Sequence, residues 1–98
     1  MLTEITHTPG IIGLHQSKAL GASVFSPAMP TDTVNFLMVQ ALTQNIRFTL
    51  SNGQAPSATV GFVLTAGDFP AMIPMGDDFT PQFYPETTGA ILQYQWIY

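Results

Sequence analysis

Residues 45–65 read NIRFTLSNGQAPSATVGFVLT, two strand patterns joined by a turn sequence. In residues 45–51 the apolar side chains alternate with polar ones, and a period of two is typical of a strand with one buried face. Asn52 and Gly53 follow at once, and both residue types tolerate a positive φ, so we predict a hairpin turn there. The next predicted strand is VGFVLT, residues 60–65.

Outward from this stretch, three further segments have strand character. Residues 33–42 (TVNFLMVQAL) predict a strand buried on both faces, although periodicity alone leaves a helix open for so apolar a run. Residues 70–75 (PAMIPM) predict an edge strand, because proline cannot donate to a ladder. Residues 76–88 are predicted as a loop and residues 89–98 (GAILQYQWIY) as the last strand. The fold expected is all-β, a small antiparallel β-sandwich or a jelly-roll-like barrel.

The first third of the chain differs in composition from the rest. Residues 1–32 are rich in Gly, Pro, Ser and Thr, and they predict an extended N-terminal arm with one or two short strands ahead of a β domain at 33–98. The domain needs its own faces for its core. We therefore expect the apolar residues of the arm to contact a partner protein; they are Ile11, Ile12, Leu14, Val24 and Phe25.

Charge is scarce along the whole chain. Two cations and six acids make 8% of the 98 residues, with a net charge of −4, where an ordinary soluble domain has about 25%. Two cations cannot neutralise a phosphate backbone, so nucleic acid is excluded as a partner. Cysteine is absent, which excludes disulfides and zinc–thiolate sites. We find no basic leader and no apolar run long enough to span a membrane, and we therefore expect no membrane partner.

The sequence shows no set of residues with the spacing of a catalytic or metal site. His7 and His15 have only Glu4 as a nearby acid, which is too few ligands for a metal. Asp77 and Asp78 could offer oxygen ligands to calcium, but no calcium-loop spacing follows, and we predict a solvated turn. No nucleophile-elbow sequence surrounds any serine. We therefore expect neither enzymatic activity nor a cofactor.

The aromatic residues and the single arginine of the β domain have structural roles in this interpretation. Phe48, Phe62, Tyr94 and Trp96 are predicted to lie in the core or a subunit interface, and Arg47 to bind a carboxylate or backbone carbonyls. An alternative is a carbohydrate-binding platform formed by Phe79, Phe83, Tyr84, Tyr94, Trp96 and Tyr98.

From residue 45 onward the chain resembles a widespread family of small tailed-bacteriophage virion proteins. The quoted 45–65 stretch continues as AGDFP and is followed later by GAILQYQWIY. The family pattern is an Arg-containing strand, an Asp-Gly turn, a Pro-Thr-Ala-like segment, a Gly-containing strand, an Ala-Gly turn and a final alternating strand. It is matched by Arg47, Gly53, Pro56, Ala58, Thr59, Gly61, Leu64, Ala66, Gly67 and residues 90–96, with Asn52 in place of the usual Asp.

The resemblance implies a non-enzymatic structural protein, located in the virion after assembly in the host cytoplasm. We expect a capsid decoration, or cement, protein that binds the major capsid protein as a homo-oligomer, expected to be a trimer. The low charge agrees with this, because uncharged sheet edges favour association. The alternative is a tail, neck or fibre component that binds a host-surface glycan.

Overall fold

The computed structural model describes residues 14–30, 33–50, 54–75 and 80–98, and this part of the chain is all-β. It contains seven strands: β1 (Gln16–Ala19), β2 (Phe36–Leu42), β3 (Ile46–Thr49), β4 (Phe62–Leu64), β5 (Ala71–Pro74), β6 (Gln82–Pro85) and β7 (Ile91–Ile97). The helix that periodicity left open for residues 33–42 is absent, because that stretch forms β2.

The strands form two antiparallel sheets. One has four strands in the order β1-β7-β2-β5, and the other has three in the order β4-β3-β6. Together they make a small β-sandwich, as predicted. The edge position predicted for the proline-flanked strand is also confirmed, since β5 ends the four-stranded sheet.

The core lies between the two sheets and follows from strand alternation. On β2 and β7, Leu37 lies opposite Trp96 and Ala41 opposite Leu92, and all four side chains are buried. The facing sheet contributes other buried apolar groups, among them Ile46, Leu64 and Phe83. Side chains at every second position of the long strands thus build one interior.

The prediction of a loop over residues 76–88 is wrong where β6 forms. The backbone N–H and C=O of Phe83 both bond to Phe25, at 2.8 and 2.9 Å. Pro81 and Pro85 lie two residues on either side of Phe83. Their nitrogens therefore point to the same side, away from β3, and no ladder hydrogen bond to β3 is lost. These prolines suit an outer strand rather than a loop.

The predicted N-terminal arm is not separate from the domain over residues 16–25. β1 pairs with β7, the Leu20 side chain is buried, and Phe25 bridges to Phe83 at the edge of the three-stranded sheet. The segment therefore contributes to both sheets. The sequence predicts one or two short strands in this segment but not their place in the sandwich, because QSKA has no apolar alternation.

The chain around the predicted hairpin is antiparallel as expected, with β3 paired to β4. The turn residues Asn52 and Gly53 lie outside the described residues. Strand β4 is shorter than predicted, and Gly61 precedes it with a φ of +122°. A Cβ atom at Gly61 would lie 2.8 Å from the carbonyl oxygen of Phe48. Only glycine permits this close approach.

Candidate functional site

Arg47 lies at the centre of a small polar network on the side of the three-stranded sheet that faces away from the core. Its Nε donates to Glu86 Oε2 at 2.8 Å, and its Nη1 donates to the Gly61 carbonyl at 3.1 Å. Asn45 Nδ2 donates to the other carboxylate oxygen of Glu86 at 3.3 Å. Arg47 thus contacts a carboxylate and a carbonyl, the two kinds of partner predicted for it. The network joins the end of β6 to the start of β4.

In the described ranges, no three His, Asp or Glu side chains lie together as metal ligands do. The Asp68 carboxylate accepts a hydrogen bond from the Phe69 N–H at 3.1 Å. His7, Asp77 and Asp78 lie outside these ranges. Within the same ranges there is also no helix long and apolar enough to cross a membrane.

The predicted aromatic platform is divided between the core and the surface. Phe83 and Trp96 are buried, while Tyr84, Tyr94 and Tyr98 are half-buried. Tyr94 lies beside Phe25 with the ring centroids 5.9 Å apart. Phe79 lies outside the described residues. The structure does not bring these rings to one common surface.

Of the two environments predicted for Phe62, the core or a subunit interface, the structure removes the core. Phe48 and Phe62 are cross-strand neighbours, with ring centroids 5.7 Å apart. Phe48 is half-buried and packs against the core, but Phe62 is 69% exposed. β4 is the last strand of its sheet, so Phe62 projects where the sandwich is open. The sequence VGFVLT shows no alternation of polar and apolar residues and does not distinguish an edge strand from a central one.

The residues predicted to form a partner-binding arm have separate environments. Phe25 packs against the core, and the Lys18 ammonium lies 5.4 Å from the centre of its ring. Leu14 is 81% exposed and Val24 is also exposed. Ile11 and Ile12 fall outside the described residues. Residues 14–25 therefore do not form a continuous apolar arm.

The outer face of the four-stranded sheet is uncharged, a feature that the sequence interpretation missed. It treated residues 33–42 as buried on both faces, whereas the outward side chains of β2 are half-buried or exposed. Register places Phe36 beside Ile97 and Pro74, and Met38 beside Gln95 and Met72. The outward positions of the three strands β2, β7 and β5 are Phe36, Met38, Gln40, Leu42, Ile91, Gln93, Gln95, Ile97, Met72 and Pro74. We call this set the outer face. Gln93 and Gln95 at alternate positions of β7, with Gln40 on β2, were the signal for it.

A second exposed apolar region lies on β4 and in the connection between β4 and β5. Phe62, Val63 and Phe69 are all exposed, Phe69 at 91%. A shallow groove beside them is lined by Val63, Leu64, Phe69 and Ala71, among others. This region adjoins the open edge of the three-stranded sheet.

Comparison with known proteins finds no relative of this chain. No protein-family model matches the chain, and neither the curated proteins nor the solved structures contain a significant match to it.

Proposed function

We propose that the chain is a non-enzymatic structural protein of a tailed-phage virion. In this proposal it is a capsid decoration protein that binds the major capsid protein in many copies and stabilises the shell. The observation that carries the proposal is the outer face, a β surface without a charged side chain. The resemblance of residues 45–98 to small phage virion proteins gives the setting.

The composition of the outer face supports a protein partner. The cores of protein interfaces are depleted in charge and enriched in aromatic residues and methionine. Phe36, Met38 and Met72 supply these residue types on adjacent strands, and the glutamines can hydrogen-bond without the cost of burying a charge. Such a face can be covered by a partner with little desolvation cost.

The size of the outer face indicates how strongly one copy would bind. The three strands of the outer face lie about 4.8 Å apart and have 18 residues between them, at about 3.4 Å each, which gives roughly 290 Å² in projection. A standard interface covers about 800 Å² on each partner. One copy would therefore bind modestly, and linked copies would bind much more tightly through avidity.

The glycan-binding alternative has less support. It needs a surface of aromatic rings, and two of its predicted members, Phe83 and Trp96, are buried. We therefore propose the capsid role rather than a sugar-binding tail, neck or fibre role.

The test is co-sedimentation of the purified chain with capsid shells that lack it. We expect the chain to pellet with the shells and to stay bound in high salt, because screening weakens only charged contacts. Met72→Lys places a charge on the outer face, and it should reduce the bound fraction at least tenfold. Thr59→Lys adds the same charge at an exposed site in the β3–β4 connection and should bind as the original chain does. Failure of the original chain to bind any shell would overturn the proposal.

A further inference from the structure

The four sheet edges of the described sandwich are not equally protected against pairing with another chain. Natural β proteins block their edges with Lys, Pro or a covering segment. The β1 edge has Lys18, the β5 edge has Pro74 with Pro70 just before it, and the β6 edge is covered by the bridge to Phe25. Three edges therefore have a recognisable block.

The fourth edge, β4, is only three residues long but has none of these three devices. Its sequence Phe62–Leu64 contains no charge and no proline, and no described segment pairs with its outer side. Phe62 is 69% exposed and Val63 is 43% exposed. An exposed, uncharged edge of this kind is a template for strand addition.

We propose that β4 is the contact between two copies of this chain, paired antiparallel about a two-fold axis through Val63. Such pairing is self-complementary, because the same strand is used by both copies. It sets Val63 opposite Val63 and Phe62 opposite Leu64 of the other copy, with no like charges facing each other. The two three-stranded sheets would become one sheet of six strands.

The exposed area agrees with a second copy bound weakly. A phenylalanine can bury 150–250 Å². At their exposed fractions, Phe62 and Phe69 together offer about 300 Å² of ring surface per copy. Val63 and the strand backbone add to this, so the contact approaches the lower limit of specific interfaces, about 1,000 Å² in total. A groove beside the strand is lined by Val63, Leu64 and Phe69 together with polar residues, Asp68 among them.

This inference deepens the proposed function, on which it rests for the setting in which many copies meet. It makes the unit of self-association a dimer instead of the trimer expected from the sequence. Dimers would offer two outer faces to the shell at once, and a linked pair binds more tightly than two single copies.

The first test uses the absence of cysteine from the chain, which makes a single introduced thiol a clean reporter. Facing residues of an antiparallel pair have Cβ atoms about 4.5–5.5 Å apart, near the distance that a disulfide spans. Oxidised Val63→Cys should give a covalent dimer on a non-reducing gel at high yield. Ser17→Cys, on the blocked β1 edge, should cross-link at least tenfold more slowly. Equal rates for the two variants would overturn the two-fold contact.

The second test measures self-association directly, by sedimentation velocity over a concentration series. We expect the original chain to dimerise reversibly. Val63→Lys should raise the dimer dissociation constant at least tenfold, because two lysines would then face each other. Ser17→Lys should leave it unchanged, and circular dichroism checks that each variant keeps its β spectrum. A chain that stays monomeric at millimolar concentration, or a Val63→Lys variant that dimerises normally, contradicts the inference.

The outcome is separable from that of the proposed function. Shell binding by an original chain that does not dimerise would overturn the β4 contact and leave the decoration role standing. Dimerisation through β4 without shell binding would support the contact and overturn the decoration role.

Discussion

The surroundings of each strand in its sheet, rather than residue type, decide what each phenylalanine contributes to the sandwich. Phe48 pairs with both Phe62 and Phe83, so the three lie side by side on one face of the sheet. Yet Phe83 is fully buried and Phe62 is largely exposed. The difference arises because β6 is covered by Phe25 whereas β4 is open.

We expect Phe83→Ala to lower the free energy of unfolding by about 3–5 kcal/mol, the usual cost of removing a buried aromatic ring. Phe62→Ala is the matched control and should cost less than about 1 kcal/mol, since most of its ring is already in water. Urea unfolding followed by circular dichroism measures both values. Equal losses would mean that the assigned strand positions are wrong.

Gly61 is the position where the backbone requires glycine most strictly. Gly61→Ala combines an unfavourable φ with a Cβ 2.8 Å from the Phe48 carbonyl oxygen, and we expect it to cost about 1–3 kcal/mol. Gly21→Ala is the control, because a Cβ there meets no atom within 4 Å. Thermal unfolding of the two variants should separate them. A Gly61→Ala variant as stable as Gly21→Ala would contradict the close approach of the two strands.

Tyr94 gives the sandwich a predictable response to alkali. Burial raises the pKa of Tyr94 above its usual 10.0, because the charged phenolate is poorly solvated there. The contribution of Tyr94 to the free energy of unfolding is therefore fully present below pH 10. It is lost as the pH rises from there through the folded-state pKa. Tyr94→Phe should lose less stability than the original chain over that range in a pH series of urea melts. Parallel curves for the two proteins would show that Tyr94 titrates normally.

Among the strands, those with strict alternation were predictable and those held by backbone pairing were not. β3 and β7 follow from their apolar spacing, and β2 from its apolar density. β6 was hidden by two prolines whose nitrogens point away from β3, and β1 by a polar sequence. The sequence left Phe62 between core and interface for a related reason: it shows which residues are apolar, but strand order decides which edge stays open.

The N-terminal segment provides a test of how much of it belongs to the sandwich. Deleting residues 1–32 removes β1, the buried Leu20 and the Phe25 bridge. The loss of Leu20 burial alone should cost about 1.5–3 kcal/mol. Deleting residues 1–13 leaves every contact described here, so the longer deletion should be less stable than this shorter one by at least that amount. If the longer deletion were as stable as the shorter one, β1 and Phe25 would not be part of the fold.

The whole molecule combines an apolar interior with a surface that carries little charge. The one ion pair of the described ranges joins Arg47 to Glu86. The strand residues of the outer face and of the β4 edge have no charged side chain. These two surfaces account for the proposed contacts, one with the shell and one with a second copy. The candidate surface could not be predicted residue by residue, since it depends on which faces the strand order leaves uncovered.

The proposed decoration role is tested most directly by locating this chain in intact tailed-phage particles by cryo-electron microscopy. We expect density for the β-sandwich on the outside of the capsid shell, with Met38 and Met72 of the outer face against the major capsid protein. Density for the chain in the tail, neck or fibres, or a particle that lacks the chain altogether, would contradict the account.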